Sequence, residues 1–495
     1  MKQLSSLDTQ FLHVESATTT GHVGGVILLD PSTAPNGELN LDGLRALYEA
    51  RLHLAPPLHE RLVEVPLGLG NPYWIHDPDF DLEYHLREIA LPPPGSPEQL
   101  GEQVSRIHAR PLDRSRPLWE AYLIHSLEGG LVALYAKVHH AAIDGLSGAA
   151  ILATILDVTV EPRAVEPPDD DWTARSVPDP VTLAAHGVAS SVVRSSRALR
   201  TLPRSLPHLA DLPGAKNVPG VRRVSDLADS AVSMLSGGVS RRSDGRDLTV
   251  PRTPFNGPIT AHRRFSYGSV PLDDVKRVKN AFGLTVNDVV MAMTTSALRR
   301  WLLDHDALPP IPLVAAVPVS IRGDAASTNG PDGGALGNQI SVMLAHLPTQ
   351  IADPAERLQA VVDAMVEAKA QFDAVPATIL SDLSAAIPTA LSGLASRSLF
   401  RLVTMPGPPF NLFVSNVPGP QLPLYVAGAR VRGIHPVSAV TDLTGGLNIT
   451  LFSYDGALDF GLIACREMVP DVWHLIDYLT EALQELLALA PADPS

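Results

Sequence analysis

The residues best suited to chemistry sit together at Lys137-Val138-His139-His140-Ala141-Ala142-Ile143-Asp144-Gly145-Leu146-Ser147-Gly148. Two adjacent histidines are followed, after three small or apolar residues, by Asp-Gly. At average composition such a pattern arises by chance in roughly a few chains per thousand of this length, so it carries weight. A neutral imidazole near pH 7 is suited to accept a proton from a hydroxyl or an amine. Adjacent residues on an extended segment point to opposite sides, so one histidine can face a cleft while its neighbour is held in the fold. Asp144 can fix the turn by pairing with an arginine, and Gly145 permits that turn. A metal site would need convergent ligands, usually with helical His spacing, and the sequence offers none. A Ser-His-Asp hydrolase would need a Gly-x-Ser-x-Gly elbow, which is absent. General-base activation of an acceptor is the chemistry that fits.

A strand, Leu131–His139, must carry the pair, and a Gly/Ser turn leads into a helix at Gly148–Leu156. A second strand is expected at His22–Leu29, with amphipathic helices at Leu41–Leu54 and Glu98–Arg110. The second half offers strands at Leu313–Ser320, Gln339–Ala345, Asn411–Asn416, Leu447–Tyr454 and Leu458–Ala464. Its helices are expected at Asn287–Asp304, Pro354–Phe372 and Asp471–Leu489. Gly456 marks a hairpin between the last two strands. Helices and strands alternate irregularly, which indicates an α/β chain with mixed (α+β) sheets and no doubly wound arrangement. There is no Gly-x-Gly-x-x-Gly, no Walker-type loop and no solenoid repeat.

Between the halves, about 161–256, the chain reads as a crossover linker, opening with Pro162, Pro167, Pro168 and Asp169–Asp171. From Arg194 to Arg223 it holds seven Lys/Arg against one acid, Asp211, in a chain whose net charge is −15. On a helical wheel Arg194, Arg197, Arg200 and Arg204 share one arc, opposite Val181, Val188, Val192, Leu199 and Leu202. Such a helix either lies on an anionic lipid surface or docks on its own domain with the arginines in water.

The 495 residues are only 18% charged, with a mean hydropathy of +0.10. The acidic balance argues against a nucleic-acid partner. A single cysteine, Cys465, excludes a disulfide framework and points to a reducing compartment. The N-terminus lacks a signal-peptide pattern. The uncharged run Leu402–Ala429 holds Pro406, Pro408, Pro409, Pro418, Pro420 and Pro423, too many lost backbone donors for a spanning helix. A soluble, intracellular, multi-domain protein is the expectation.

His139-His140-x-x-x-Asp144-Gly145 resembles the signature of the CoA-dependent acyltransferase superfamily. Further blocks resemble its bacterial wax ester synthase/diacylglycerol acyltransferase branch: the opening segment Leu4–Glu15, Pro117-Leu118-Trp119, Asn287-Asp288, Pro318–Arg322, Gly337-Asn338-Gln339 and Val414–Pro420. The resemblance implies two chloramphenicol-acetyltransferase-like domains, 1–160 and 257–495, joined by the 161–256 linker, with the active site in a tunnel between them. It implies His140 as general base, moving a long-chain acyl group from acyl-CoA to diacylglycerol or a fatty alcohol. Acyl-CoA is then a co-substrate, with no bound cofactor and no metal required.

His139 is expected to orient, and Asp144 to be structural with Arg322 as its partner. Asn287 is expected either at a helix N-cap or, with Asp288, in the site. Trp119 and Leu118 are expected to support the site by packing. Asn338, Ser415 and Asn416 are expected either as donors to the oxyanion or as partners for nearby backbone. Lys276, Arg277 and Lys279, or Arg263 and Arg264, are candidates for the CoA phosphates, against an ordinary solvated face. Two other readings stay open: a condensation-type enzyme using a carrier-protein thioester, and a non-catalytic protein of lipid surfaces.

Overall fold

Apolar residues at strand and helix periods decide the elements here, and short polar signals decide where they start and stop. The computed structural model describes residues 1–143, 148–167, 178–187, 189, 249–320, 340–373, 410–442 and 444–491. The first half runs β1 (Lys2–Gln3), α1 (Ser6–Val14), β2 (His22–Asp30), α2 (Leu41–Arg51), β3 (Glu60–Val63), β4 (Tyr73–His76), α3 (Leu82–His85), β5 (Leu86–Ala90), α4 (Pro97–His108), β6 (Trp119–His125), β7 (Val132–His139) and α5 (Gly148–Ile155). The second half begins with β8 (Arg263–Pro271), α6 (Leu272–Phe282), α7 (Val286–Asp304), β9 (Leu313–Ser320), β10 (Ile340–Leu347) and α8 (Pro354–Asp373). It continues with β11 (Leu412–Pro418), β12 (Tyr425–Val426), β13 (Ala429–Val437), β14 (Leu447–Tyr454), β15 (Ala457–Cys465) and α9 (Val472–Leu489).

Local chemistry explains the boundaries. Ser96 caps α4 in a reciprocal box with Gln99, Pro97 takes the first turn, and Leu100, Val104 and Ile107 bury one face. Asp455 and Gly456, both at positive φ, turn β14 into β15 as the sequence expects. The six-stranded sheets are mixed. One has the order β12-β13-β2-β7-β6-β5, antiparallel except for β5–β6. The other has the order β10-β9-β11-β14-β15-β8, with β11 parallel to both neighbours. A small antiparallel sheet, β1-β4-β3, stands beside the first.

The expected division at residue 257 is crossed by the chain. Strands β12 and β13 leave the C-terminal half and complete the N-terminal sheet, pairing with β2 from Gly24↔Val437 to Asp30↔Arg430. This brings β13 against β15 so closely that a Cβ on Gly461 would lie 1.7 Å from Pro436 O. Glycine is required there for space. Asp459 of β15 accepts from Ile434 N at 2.7 Å, a further tie between the sheets. A shared core of Val26, Leu100, Tyr135, Phe265, Val437 and Ile463 fills the junction. Each such fully buried large side chain contributes about 1.5–3 kcal/mol, so the halves are held as one body.

Of the linker, residues 180–187 are helical and dock on the small sheet. Leu183 packs with Val65 and Tyr73, and Gly70 meets Gly187 so tightly that a Cβ would be 2.7 Å from its Cα. Val181, expected on the apolar arc, is instead exposed. It stands two residues from Leu183, and two helical residues are some 200° apart, so one burial excludes the other. The basic stretch Arg194–Arg223 lies outside the described residues. No single described helix is long and apolar enough to cross a membrane; α6 and α7 meet that test only together, bent by 103°, and α7 is buried in the second-half core.

Candidate active site

β7 runs antiparallel between β2 and β6, so His139 stands opposite His22, and Val138 opposite both Val23 and Trp119. His139 N donates to Leu118 O at 2.9 Å, and His140 N to Gly21 O at 2.9 Å. The strand then ends in a short 3₁₀ turn, His140–Ile143. The two imidazoles diverge, as adjacent extended positions require.

His139 is buried, with 1% of its surface exposed. Its Nδ1 accepts from Ala141 N at 3.1 Å, which leaves the proton on Nε2, 3.2 Å from Glu15 Oε1. Glu15 also accepts from Gly21 N at 2.8 Å and from Arg114 Nη2 at 2.6 Å. Burial works against the Glu15 charge, but His139, the Gly21 N–H and Arg114 outweigh it and hold its pKa at about 2. Ionised Glu15 therefore favours the folded state at neutral pH, and that contribution fades as pH falls from 4.5 towards about 2. Space is tight: a Cβ on Gly21 would lie 2.7 Å from His139 Nε2.

His140 keeps part of its surface accessible. Its ring stacks on Phe11 of α1, centroids 4.0 Å apart at 19°. Burial first, and the neighbouring His139 second, push its pKa down to about 4. At neutral pH it is an uncharged imidazole able to accept a proton. α1, capped by Ser5 through Asp8 N, thus supplies Phe11 to one histidine and, at its C-terminal end, Glu15 to the other. The segment Leu4–Glu15 was conspicuous in the sequence, but its period does not show that Phe11 and Glu15 reach the histidines. Leu4, Leu12, Trp74, Leu118, Ala141 and Ala142 form the apolar packing beneath the turn.

The remaining sequence candidates separate. Trp119 is buried, donates Nε1–H to Leu58 O at 2.8 Å and stacks between Tyr48 and His85, so it supports the sheet by packing. Asn287 is not the cap of α7: Thr285 is, in a reciprocal box with Asp288, whose carboxylate accepts from Thr285 N at 2.8 Å. Asn287 lies in the first turn, partly exposed, and Asp288 is engaged in capping. Thr-x-x-Asp was the signal for this. Ser415 and Asn416 are partly exposed on β11. Ser415 pairs with Thr450 and Asn416 with Leu451, so they lie on opposite faces of the sheet. Asp144, Gly145, Arg322 and Asn338 lie outside the described residues.

Four of the basic candidates for CoA are paired. Arg263 is buried, and its guanidinium donates to Thr18 O, Thr260 O, His262 O and Val440 O, so it clamps backbone and is not available to a phosphate. Arg264 lies 3.8 Å from Glu102, Lys276 3.0 Å from Asp273 and Arg277 3.3 Å from Asp274.

Residues 4–290 match the wax ester synthase/diacylglycerol acyltransferase catalytic domain, and residues 336–487 match the C-terminal domain of the same family. The chain is 35% identical over 498 residues to a Mycobacterium tuberculosis protein named diacylglycerol O-acyltransferase, covering 100% of this chain and 92% of that one. The wax ester synthase/diacylglycerol acyltransferase from Marinobacter aquaeolei VT8 has a similar structure, with a TM-score of 0.66 and 30% identity over 99% of this chain and 100% of that one. The first condensation domain of the calcium-dependent antibiotic synthetase shares the fold, with a TM-score of 0.51 at 18% identity, covering 99% of this chain and 98% of that one.

Glu15→Gln keeps the shape of the side chain and removes the charge facing His139 and Arg114. Acyl transfer is expected to fall about 10–100-fold in kcat through mispositioning of the histidine turn. Steady-state kinetics on the purified variant check this, and unchanged kcat would contradict it.

Proposed function

The chain belongs to the wax ester synthase/diacylglycerol acyltransferase family, whose members use acyl-CoA, and on that premise we propose that His140 is the general base of its acyl transfer. The enzyme is an O-acyltransferase that makes an ester of diacylglycerol or of an alcohol. The observation that carries the assignment to His140 is a contrast. Of two adjacent imidazoles, one is buried and anchored to Glu15, and the other is partly accessible, stacked and neutral.

His140 accepts the proton of the acceptor hydroxyl as that oxygen attacks the thioester carbonyl carbon. The tetrahedral intermediate collapses with cleavage of the C–S bond, and the protonated imidazole returns the proton to the leaving sulfur. The products are the ester and free CoA, and no covalent acyl-enzyme is needed. His139 does not exchange protons in this scheme. Its bond from Ala141 N–H and its 3.2 Å contact with Glu15 set the path of the turn from which His140 projects. Positioned general-base catalysis supplies about 10²–10⁴-fold, and orientation and oxyanion stabilisation supply the rest.

We further propose a cytoplasmic protein, peripheral at the inner membrane or at lipid inclusions, with the basic stripe Arg194, Arg197, Arg200 and Arg204 against anionic lipid. The support is the charge pattern of the sequence.

With labelled palmitoyl-CoA and parallel diacylglycerol and dodecanol-type acceptors, His140→Ala is expected to lose about 10²–10⁴-fold in ester formation while its melting curve is unchanged. Normal turnover by this variant would refute the base. The partition coefficient onto anionic vesicles, read by cosedimentation, is expected to fall about 10²-fold when Arg194, Arg197 and Arg200 are replaced by Ala, at roughly 1 kcal/mol per charge near the surface. Binding indifferent to these changes would refute the membrane role.

A further inference from the structure

The inward face of β14 carries polar residues where apolar ones would close the junction between the halves. In the register with β15, Asn448, Thr450 and Phe452 stand opposite Ile463, Gly461 and Asp459, whose face meets β13. Phe452 and Tyr454 join the first-half core, while Leu447, Ile449 and Leu451 point into the second-half core. Asn448 and Thr450 therefore face the first half, buried to 6% and 4% exposure. Burying such groups is costly unless they are bonded or have a ligand to meet.

Thr450 Oγ1 donates to Asn448 Oδ1 at 2.8 Å, and Ser438 Oγ lies 2.8 Å from Thr450 Oγ1. With the Thr450 proton committed to Asn448, Ser438 is the donor in the second bond. The Asn448 amide nitrogen has no protein partner among the described residues. Sequential bonds of this kind polarise one another and fix the carboxamide's orientation.

This ladder stands level with His22 and His139, the last residue of β7 and one residue before His140. Val437 pairs with Gly24, so Ser438, next along the chain, comes beside Val23. Adjacent to Val23 is His22, the register partner of His139. Ser438 O accepts from His108 Nε2 at 3.2 Å, and His108 O accepts from His22 Nε2. Burial, and then the charge of Lys137, keep His108 neutral, so its Nδ1 accepts from the Tyr135 hydroxyl at 2.8 Å. The polar ladder of one sheet is thus hydrogen-bonded to the strand pair that carries the histidines in the other.

We infer that the Asn448 carboxamide N–H is the donor to the carbonyl oxygen of the acyl thioester, and that Thr450 and Ser438 are its positioning residues. The inference rests on the acyl transfer proposed above. As the acceptor oxygen bonds to the thioester carbon, charge develops on the carbonyl oxygen, and a fixed donor in a water-poor junction stabilises it more than water does. The sequence pointed to Asn338, Ser415 or Asn416 for this role. Of these, Ser415 is the cross-strand neighbour of Thr450, and Asn416 faces the other side.

The test measures kcat and KM with palmitoyl-CoA, and affinity for hexadecyl-CoA, a thioether lacking the carbonyl, in wild type, Asn448→Ala, Thr450→Val, Thr450→Ser and His140→Ala. Asn448→Ala is expected to lose about 10²–10³-fold in kcat with thioether affinity and melting temperature unchanged. Thr450→Val is expected to lose about tenfold, and Thr450→Ser to retain activity. Asn448→Ala within about threefold of wild type, or a loss that follows thioether affinity or melting temperature, overturns the inference. Loss of activity in His140→Ala with normal turnover in Asn448→Ala overturns this inference alone. Absence of ester from wild type, or full activity of His140→Ala, overturns the proposed function itself.

Discussion

A largely covered carboxylate that must stay ionised organises the centre of this protein. Glu15 loses most of its water on folding, a cost that has to be met by charge-assisted bonds. Arg114 and the Gly21 N–H provide them, with the His139 ring 3.2 Å away as a further partner. Satisfying Glu15 draws residues 15–21 into a closed loop against β7. Gly21 then offers its carbonyl to His140 N, so the same loop that anchors one histidine fixes the backbone of the other. The loop is held from the second half as well, because Arg263 of β8 donates to Thr18 O. The histidine geometry is therefore a property of both halves.

The crossing of β12 and β13 into the first sheet has the same consequence on a larger scale. It places a strand from the C-terminal half beside β2, next to the strand that carries His139. Hydrogen bonds then run from His22 to His108, to Ser438 and on to Thr450 and Asn448, across the junction. A site built between two sheets can place a base on one and a carbonyl donor on the other. It also keeps the reacting groups away from bulk water, where electrostatic stabilisation is weak. The low charge content and positive mean hydropathy of the chain fit an enzyme whose substrates are acyl chains.

Much of the frame was legible in the sequence. The strands at Leu313–Ser320 and Leu447–Tyr454 form with the bounds their apolar runs predict, and the histidine strand begins one residue later than predicted. The mixed character of the sheets followed from the irregular alternation of elements. What stayed hidden depends on contacts distant in sequence. Nothing in the period of Ala429–Val437 says which sheet it joins, since an edge position is filled by backbone bonds that any residue offers. Glu15 stood only as the last residue of a conspicuous opening segment, because its partners, His139 and Arg114, come some hundred residues later. Of the two places expected for Asn287, the cap is taken by Thr285 with Asp288, a local Thr-x-x-Asp signal present in the sequence. Arg263 reads as a cation for phosphate, yet burial commits its donors to four carbonyls.

The central claim is that His140 works as a neutral base whose proton affinity is lowered by burial and by His139. The pH dependence of kcat/KM for palmitoyl-CoA tests this most directly, since its acid limb reports the essential base of the free enzyme. Because only the neutral imidazole accepts the proton, activity should hold as pH falls through 6.5 and decline only on approach to about 4. An acid limb at the ordinary histidine value of 6.5, in a protein that remains folded there, would contradict it.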